Sequence, residues 1–101
     1  VIMYSTGFPS PAEHEWEKPL SLDRYLIAHP LATFFMRVGG DSLIAHGIHP
    51  GDILIVDRAV TPKVGDWVIA VEAGSFAVRC VERGQPLMVW GVVVGIARKL
   101  R

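Results

Sequence analysis

At 101 residues, half of them hydrophobic and a fifth charged, the chain has the composition of one small globular domain around a single core. Ten basic and ten acidic side chains cancel to a formal net charge of zero, which excludes a grip on nucleic acid by an overall basic field. Cys80 is the only cysteine, so an internal disulfide is excluded, and no apolar run approaches the roughly 18 residues of a membrane span; a cytoplasmic protein without a membrane segment is expected.

Residues 1–20 read as an extended arm. Pro9, Pro11 and Pro19 forbid a continuous helix, Gly7 adds freedom, and Trp16 is the expected anchor. Val1 to Ser5 is too short for a secretory leader. From residue 21 to 101 the pattern is that of one β domain. Ser21 is placed to cap a short helix from Leu22 to Ala28, which Pro30 stops. The aromatic and β-branched run Ala32 to Val38 predicts a strand, ended by Gly39-Gly40. Ser42 to His46 makes about one helical turn, closed by Gly47. Strands follow over Asp52 to Asp57, Asp66 to Val71 and Ser75 to Val81, with Ala73-Gly74 as a tight hairpin between the last two. Leu87 to Val94 is a final apolar strand, with Gly91 and Gly95 as bulge positions. The sum is a mostly β fold, a small curled sheet or barrel with one or two short helices.

Chemistry concentrates at Gly40-Asp41-Ser42-Leu43. Two readings are open for Ser42. It is a nucleophile at the start of a short helix, where backbone N–H groups receive an oxyanion, or it is an N-cap after a Gly-Gly turn. The same four residues name a lipase and esterase family, but the late Asp-x-x-His of those enzymes is missing here. His46 and His49 lie close together without a second ligand pair, so no metal and no cofactor is expected, and surface histidines are the plainer reading. Asp41, Asp52 and Asp66 stand beside glycines and read as residues that cap or bracket strands. Trp67 and Trp90 read as core or interface. Arg98, Lys99 and Arg101 read as a solvated charged tail.

Gly40-Asp41-Ser42-Leu43, Gly47-Ile48, Gly51-Asp52-Ile53-Leu54-Ile55-Val56-Asp57, Gly65-Asp66 and Phe76-Ala77-Val78 together resemble the C-terminal domain of the LexA-type self-cleaving proteins. The closer likeness is to the UmuD branch, the SOS mutagenesis proteins. Gly7-Phe8-Pro9-Ser10-Pro11-Ala12 is similar to the segment that follows that branch's self-cleavage bond, and His29-Pro30, Ala32-Thr33 and Gly91-Val92-Val93 continue the likeness. The resemblance implies a LexA C-terminal-domain fold and a Ser–Lys dyad in which a neutral lysine takes the serine proton. It also implies cleavage of the chain's own arm, stimulated by the RecA–ssDNA filament, and a homodimer that joins a Y-family DNA polymerase subunit in translesion synthesis. Contact with DNA itself would be indirect or weak. Ser42 takes the nucleophile position and Thr6-Gly7 the scissile bond.

Three departures follow from the same likeness. The base position holds Arg79 instead of lysine. A buried lysine falls by about 3–5 pH units from about 10.4, enough to be neutral near pH 7. Bringing a guanidinium from about 12.5 to 7 costs about 7–8 kcal/mol, so it stays cationic and accepts no proton. Arg79 is therefore expected to pair with a local carboxylate or the C-terminus rather than with Ser42, and Lys18, Lys63 and Lys99 are not placed to replace it. The second departure is the bridge Glu82 to Pro86, where the family spends a further pair of strands, so a reduced sheet and cleft are expected. The third is that six residues precede Gly7, close to the processed form. The reading is an accessory subunit of an error-prone polymerase with a degenerate self-cleavage site. The alternatives are an active self-cleaving protease and the dimerisation domain of a LexA-like repressor.

Overall fold

The computed structural model describes residues 20–101. The expected arm, Trp16 and the Thr6-Gly7 bond lie outside the described residues. Ser21 caps α1 (Leu22–Leu26): its backbone is extended and its hydroxyl accepts a hydrogen bond from the Arg24 amide at 3.4 Å. The helix is shorter than the sequence suggests. Ile27 is already extended, because Pro30 restricts His29 and opens its own 3-10 turn over Pro30–Ala32.

Five strands follow: β1 (Thr33–Arg37), β2 (Ile53–Asp57), β3 (Trp67–Glu72), β4 (Ser75–Cys80) and β5 (Val89–Ala97). They form one antiparallel sheet in the order β1-β2-β5-β3-β4. The expected mostly β fold is the one observed. The hairpin between β3 and β4 turns on Ala73 and Gly74, both at positive φ, 51° and 79°. Such a two-residue turn carries the twist that the strands need.

The last strand departs from its expected bounds. It begins at Val89 and runs through Gly95 to Ala97, because Ile53 and Leu54 of β2 pair with Ala97 and Ile96. Cross-strand pairing overrides the weak strand preference of Gly95. The register passes over Trp90 opposite β3 and over Val94 opposite β2, so the bulges fall beside the two glycines. Gly91 is needed there: a Cβ would meet Val56 Cγ1 at 2.6 Å. β4 and β5 run parallel with β3 between them, joined only by residues 81–88. The connection is short for a crossover, and it succeeds because β5 starts opposite Ala70, near the middle of β3.

Leu54, Val56 and Ile69 share one face with Ile48, and all four are buried. Fully burying each such side chain is worth about 1.5–3 kcal/mol. Met36, Val38, Leu43, Trp67, Val78, Trp90 and Val93 pack around them, so both tryptophans belong to the core as expected. Trp90 packs edge to face on Phe34 of β1 and at a tilt on Phe76 of β4, at 5.2 and 5.1 Å between ring centroids. Those two rings come from the opposite edge strands of the sheet, so the sheet curls about this core. On the other face Val68, Ala70 and Val92 are buried, while Leu22 and Leu26 of α1 lie over Ile53, Ile55 and Ala97.

Candidate functional site

The curl leaves a cleft of about 600 Å³ between the two sheet edges. Met36 and Arg37 of β1 and the loop Val38, Gly39, Gly40, Ser42 and Leu43 form one wall. Phe76, Ala77, Val78 and Arg79 of β4 form the other, with Leu54 and Ile69 as the floor. The structure therefore brings Ser42 and Arg79, assigned from sequence alone, to one cavity.

Ser42 is exposed, on a loop with firm supports. The Val38 amide donates to the Asp52 carbonyl and the Gly51 amide to the Val38 carbonyl, at 2.9 and 2.8 Å, so the loop starts and ends as a continuation of the sheet. Leu43, beside the serine, packs on the core. The expected helical turn is a 3-10 turn over Ile44–His46 that Leu43 enters without any side-chain cap. Ser42 is therefore not an N-cap, and a turn this short supplies no helix dipole to an oxyanion; that expectation is corrected. The Gly-Ile-His-Pro-Gly return is drawn tight by Gly47 and Gly51, so the loop folds back too soon for a longer helix.

A second correction concerns Arg98, expected in a solvated tail. Its guanidinium holds the Asp52 carboxylate with two hydrogen bonds, both 2.6 Å, and donates to the Gly47 carbonyl at 2.9 Å. Asp52 is 1 % exposed and also accepts from the His49 amide. The hydrogen bonds from Arg98 hold its carboxyl far below the usual carboxylate range, against the burial that pushes it up. This clamp ties the return of the Ser42 loop to the end of β5. An aspartate entering an apolar strand was the available sign, since a buried carboxylate needs a cation. As read from sequence, Asp52 and Asp66 do bracket their turns: Asp66 accepts from the Lys63 amide at 2.9 Å.

Burial pushes the Asp57 carboxyl up, but hydrogen bonds from His29 Nδ1 at 2.7 Å and the Ala59 amide at 2.8 Å outweigh it, so it too is lowered. His29 is thus tied to a buried acid. Among the described residues no cluster of three or more His, Cys, Asp or Glu is placed to hold a metal ion.

Arg79 turns to Glu72. Its Nε and Nη2 donate to the two carboxylate oxygens, both at 2.8 Å, and Nη1 donates to the Val78 carbonyl at 3.1 Å. The expected local carboxylate is therefore Glu72, two strand positions beyond Ala70. No hydrogen bond joins Arg79 to Ser42 among the described residues. Arg37, which sequence reasoning missed, is the other cation of the cleft and reaches the Gly51 carbonyl at 3.4 Å. Lys63 and Lys99 do not line the cleft, nor does any histidine among the described residues. The described residues that line it thus include an exposed hydroxyl and two arginines, but no side chain able to take the hydroxyl proton near neutrality.

The Peptidase S24-like family model matches residues 1–90. Protein SamA of Salmonella typhimurium is 49% identical over 73 residues, covering 72% of this chain and 52% of the relative. Protein MucA of Escherichia coli is 44% identical over 75 residues, covering 74% and 51%. A LexA repressor of Anaeromyxobacter is 30% identical over 119 residues, covering 95% and 52%. The chain thus spans about half the length of the curated relatives it matches. The alignment with the repressor is longer than the chain itself, so part of the repressor stands opposite gaps.

Proposed function

The chain belongs to the peptidase S24-like family, with its likeness to the UmuD-type SOS mutagenesis proteins within it, and on that premise we propose that it acts by binding rather than by cutting. It is an accessory subunit of an error-prone Y-family polymerase in the cytoplasm, working as a homodimer and responding to the RecA–ssDNA filament. Its self-cleavage site is degenerate. Ser42 keeps the nucleophile position, Arg79 occupies the base position, and Thr6-Gly7 is the bond that an intact site would cut. Residues 1–20 form the arm and residues 21–101 the β domain.

One observation carries this reading: Ser42 and Arg79 line one cleft, yet among the described residues the cations there are arginines, and Arg79 is engaged by Glu72. A serine without an acceptor for its proton is a poor nucleophile. What remains useful is a stable surface, with Leu22, Tyr25, Phe35 and Met88 exposed on it. Size-exclusion chromatography with and without a Y-family polymerase subunit tests the role. The chain is expected to run as a dimer alone and to move into the polymerase peak when mixed. A monomer that never co-elutes contradicts it.

The alignment with a LexA repressor over 95% of the chain favours a second reading, the dimerisation domain of such a repressor. A helix-turn-helix encoded immediately upstream in the same reading frame would select it.

A further inference from the structure

The geometry around Arg79 assigns a role to Glu72, an acid outside the motif residues. On β3 and β4 the paired positions are Val68 with Arg79, Ala70 with Ala77 and Glu72 with Ser75. Alternation puts all six side chains on one face. Only the two alanine methyl groups stand between the Arg79 and Glu72 positions. That low stretch lets the arginine stem lie along the sheet until its head meets the carboxylate squarely, in a two-bond fork. Glu72 does not line the cleft, whereas Arg79 does, so the fork draws the cation toward the hairpin and out of the cleft that Ser42 lines.

We propose that Glu72 is a positioning residue that holds the cation of position 79 away from Ser42, so that the site is locked twice, once by the arginine and once by its acid. The inference rests on reading Arg79 as the substituted base. Its consequence is specific: restoring lysine at position 79 restores only part of the chemistry. Glu72 would keep the new ammonium both charged and misdirected, since an opposite charge within hydrogen-bond reach favours the protonated form. In the restored reaction Ser42 Oγ bonds to the Thr6 carbonyl carbon and its proton passes to the neutral lysine amine. That amine delivers the proton to the departing Gly7 nitrogen, and water then hydrolyses the Thr6 ester to free the serine.

The pair is 46 % and 40 % exposed on its two side chains, so solvent weakens the effect and a shift of about half a pH unit is the appropriate expectation. The test uses the full chain as R79K, R79K/E72Q, R79K/S42A and E72Q. Loss of residues 1–6 is followed by intact mass from pH 7 to 11, and the ammonium of the introduced lysine is titrated by ¹⁵N NMR. R79K is expected to shorten slowly and only at alkaline pH. R79K/E72Q is expected to cleave with its midpoint about half a unit lower, hence up to about threefold faster on the acid side of the profile, with the NMR titration moving equally. R79K/S42A and E72Q stay intact. Superimposable cleavage and titration curves for R79K and R79K/E72Q would overturn the role of Glu72 while leaving the Ser42 reading in place. A lysine titration that shifts while neither chain shortens would overturn Ser42 as nucleophile, and the lock with it.

Discussion

Ala73 sits at a φ of 51°, in a region that an L-residue with a Cβ enters at a cost of about 1–2 kcal/mol. The turn it shares with Gly74 favours asparagine at that place. Ala73→Asn is therefore expected to stabilise the protein by about 0.5–1 kcal/mol, read as a melting temperature higher by about 2–8 °C. Asp52 shows the opposite economy, an acid that is costly to bury and secure only while charged. Its folded carboxyl titrates below the unfolded one because Arg98 hydrogen-bonds it, so its contribution is complete above about pH 4 and fades as pH falls through the folded value. Urea unfolding followed from pH 7 to 2 should show a level midpoint down to about pH 5 and a decline below about pH 4. Asp52→Asn should lower the midpoint at pH 7 and flatten that decline, leaving the share that belongs to Asp57. A decline of unchanged size in the variant would place the acid sensitivity elsewhere.

Among the elements, those set by neighbouring residues were legible in the sequence. Gly51-Asp52 and Gly65-Asp66 announce β2 and β3, Ala73-Gly74 announces the hairpin, and Ser21 announces α1. What depends on distant partners was not. Sequence alone places the final strand too early, because nothing local reveals that Ala97 pairs with Ile53. Arg98 reads as part of a solvated tail because its partner Asp52 is 46 positions away. The Ser42 turn reads as a helix start because a 3-10 turn and an α turn begin alike in sequence, and only the following loop decides between them. The two glycines of β5 differ in what they tolerate. Gly91→Ala drives a methyl group into fully buried Val56 and should cost about 1–3 kcal/mol in chemical denaturation. At Gly95 the first obstacle, at 3.0 Å, is the end of the Leu26 side chain on α1, which can turn aside, so Gly95→Ala should cost less. Equal losses would mean that α1 is held as firmly as the sheet.

At the scale of the molecule, strand order and curl make the site. β5 between β2 and β3 draws the edge strands β1 and β4 around one core, and Trp90 ties both edges through Phe34 and Phe76. The cleft that results has a loop serine, Ser42, and Arg79 among its lining residues, although the two are far apart in the chain. Sequence alone singles out both positions through motif and spacing, and with them the permanent charge of a guanidinium. It could not give Arg37 in the same cleft, or the choice of Glu72 among the nearby acids, since both depend on how the sheet bends. No helix among the described residues is long and apolar enough to cross a membrane. The most direct measurement is therefore on the unaltered chain: incubation from pH 7 to 10 with intact mass as the readout. The expected result is a mass that stays that of the full 101 residues. Loss of Val1 to Thr6 that stops in Ser42→Ala would show that the hydroxyl finds a base after all, and would contradict the account.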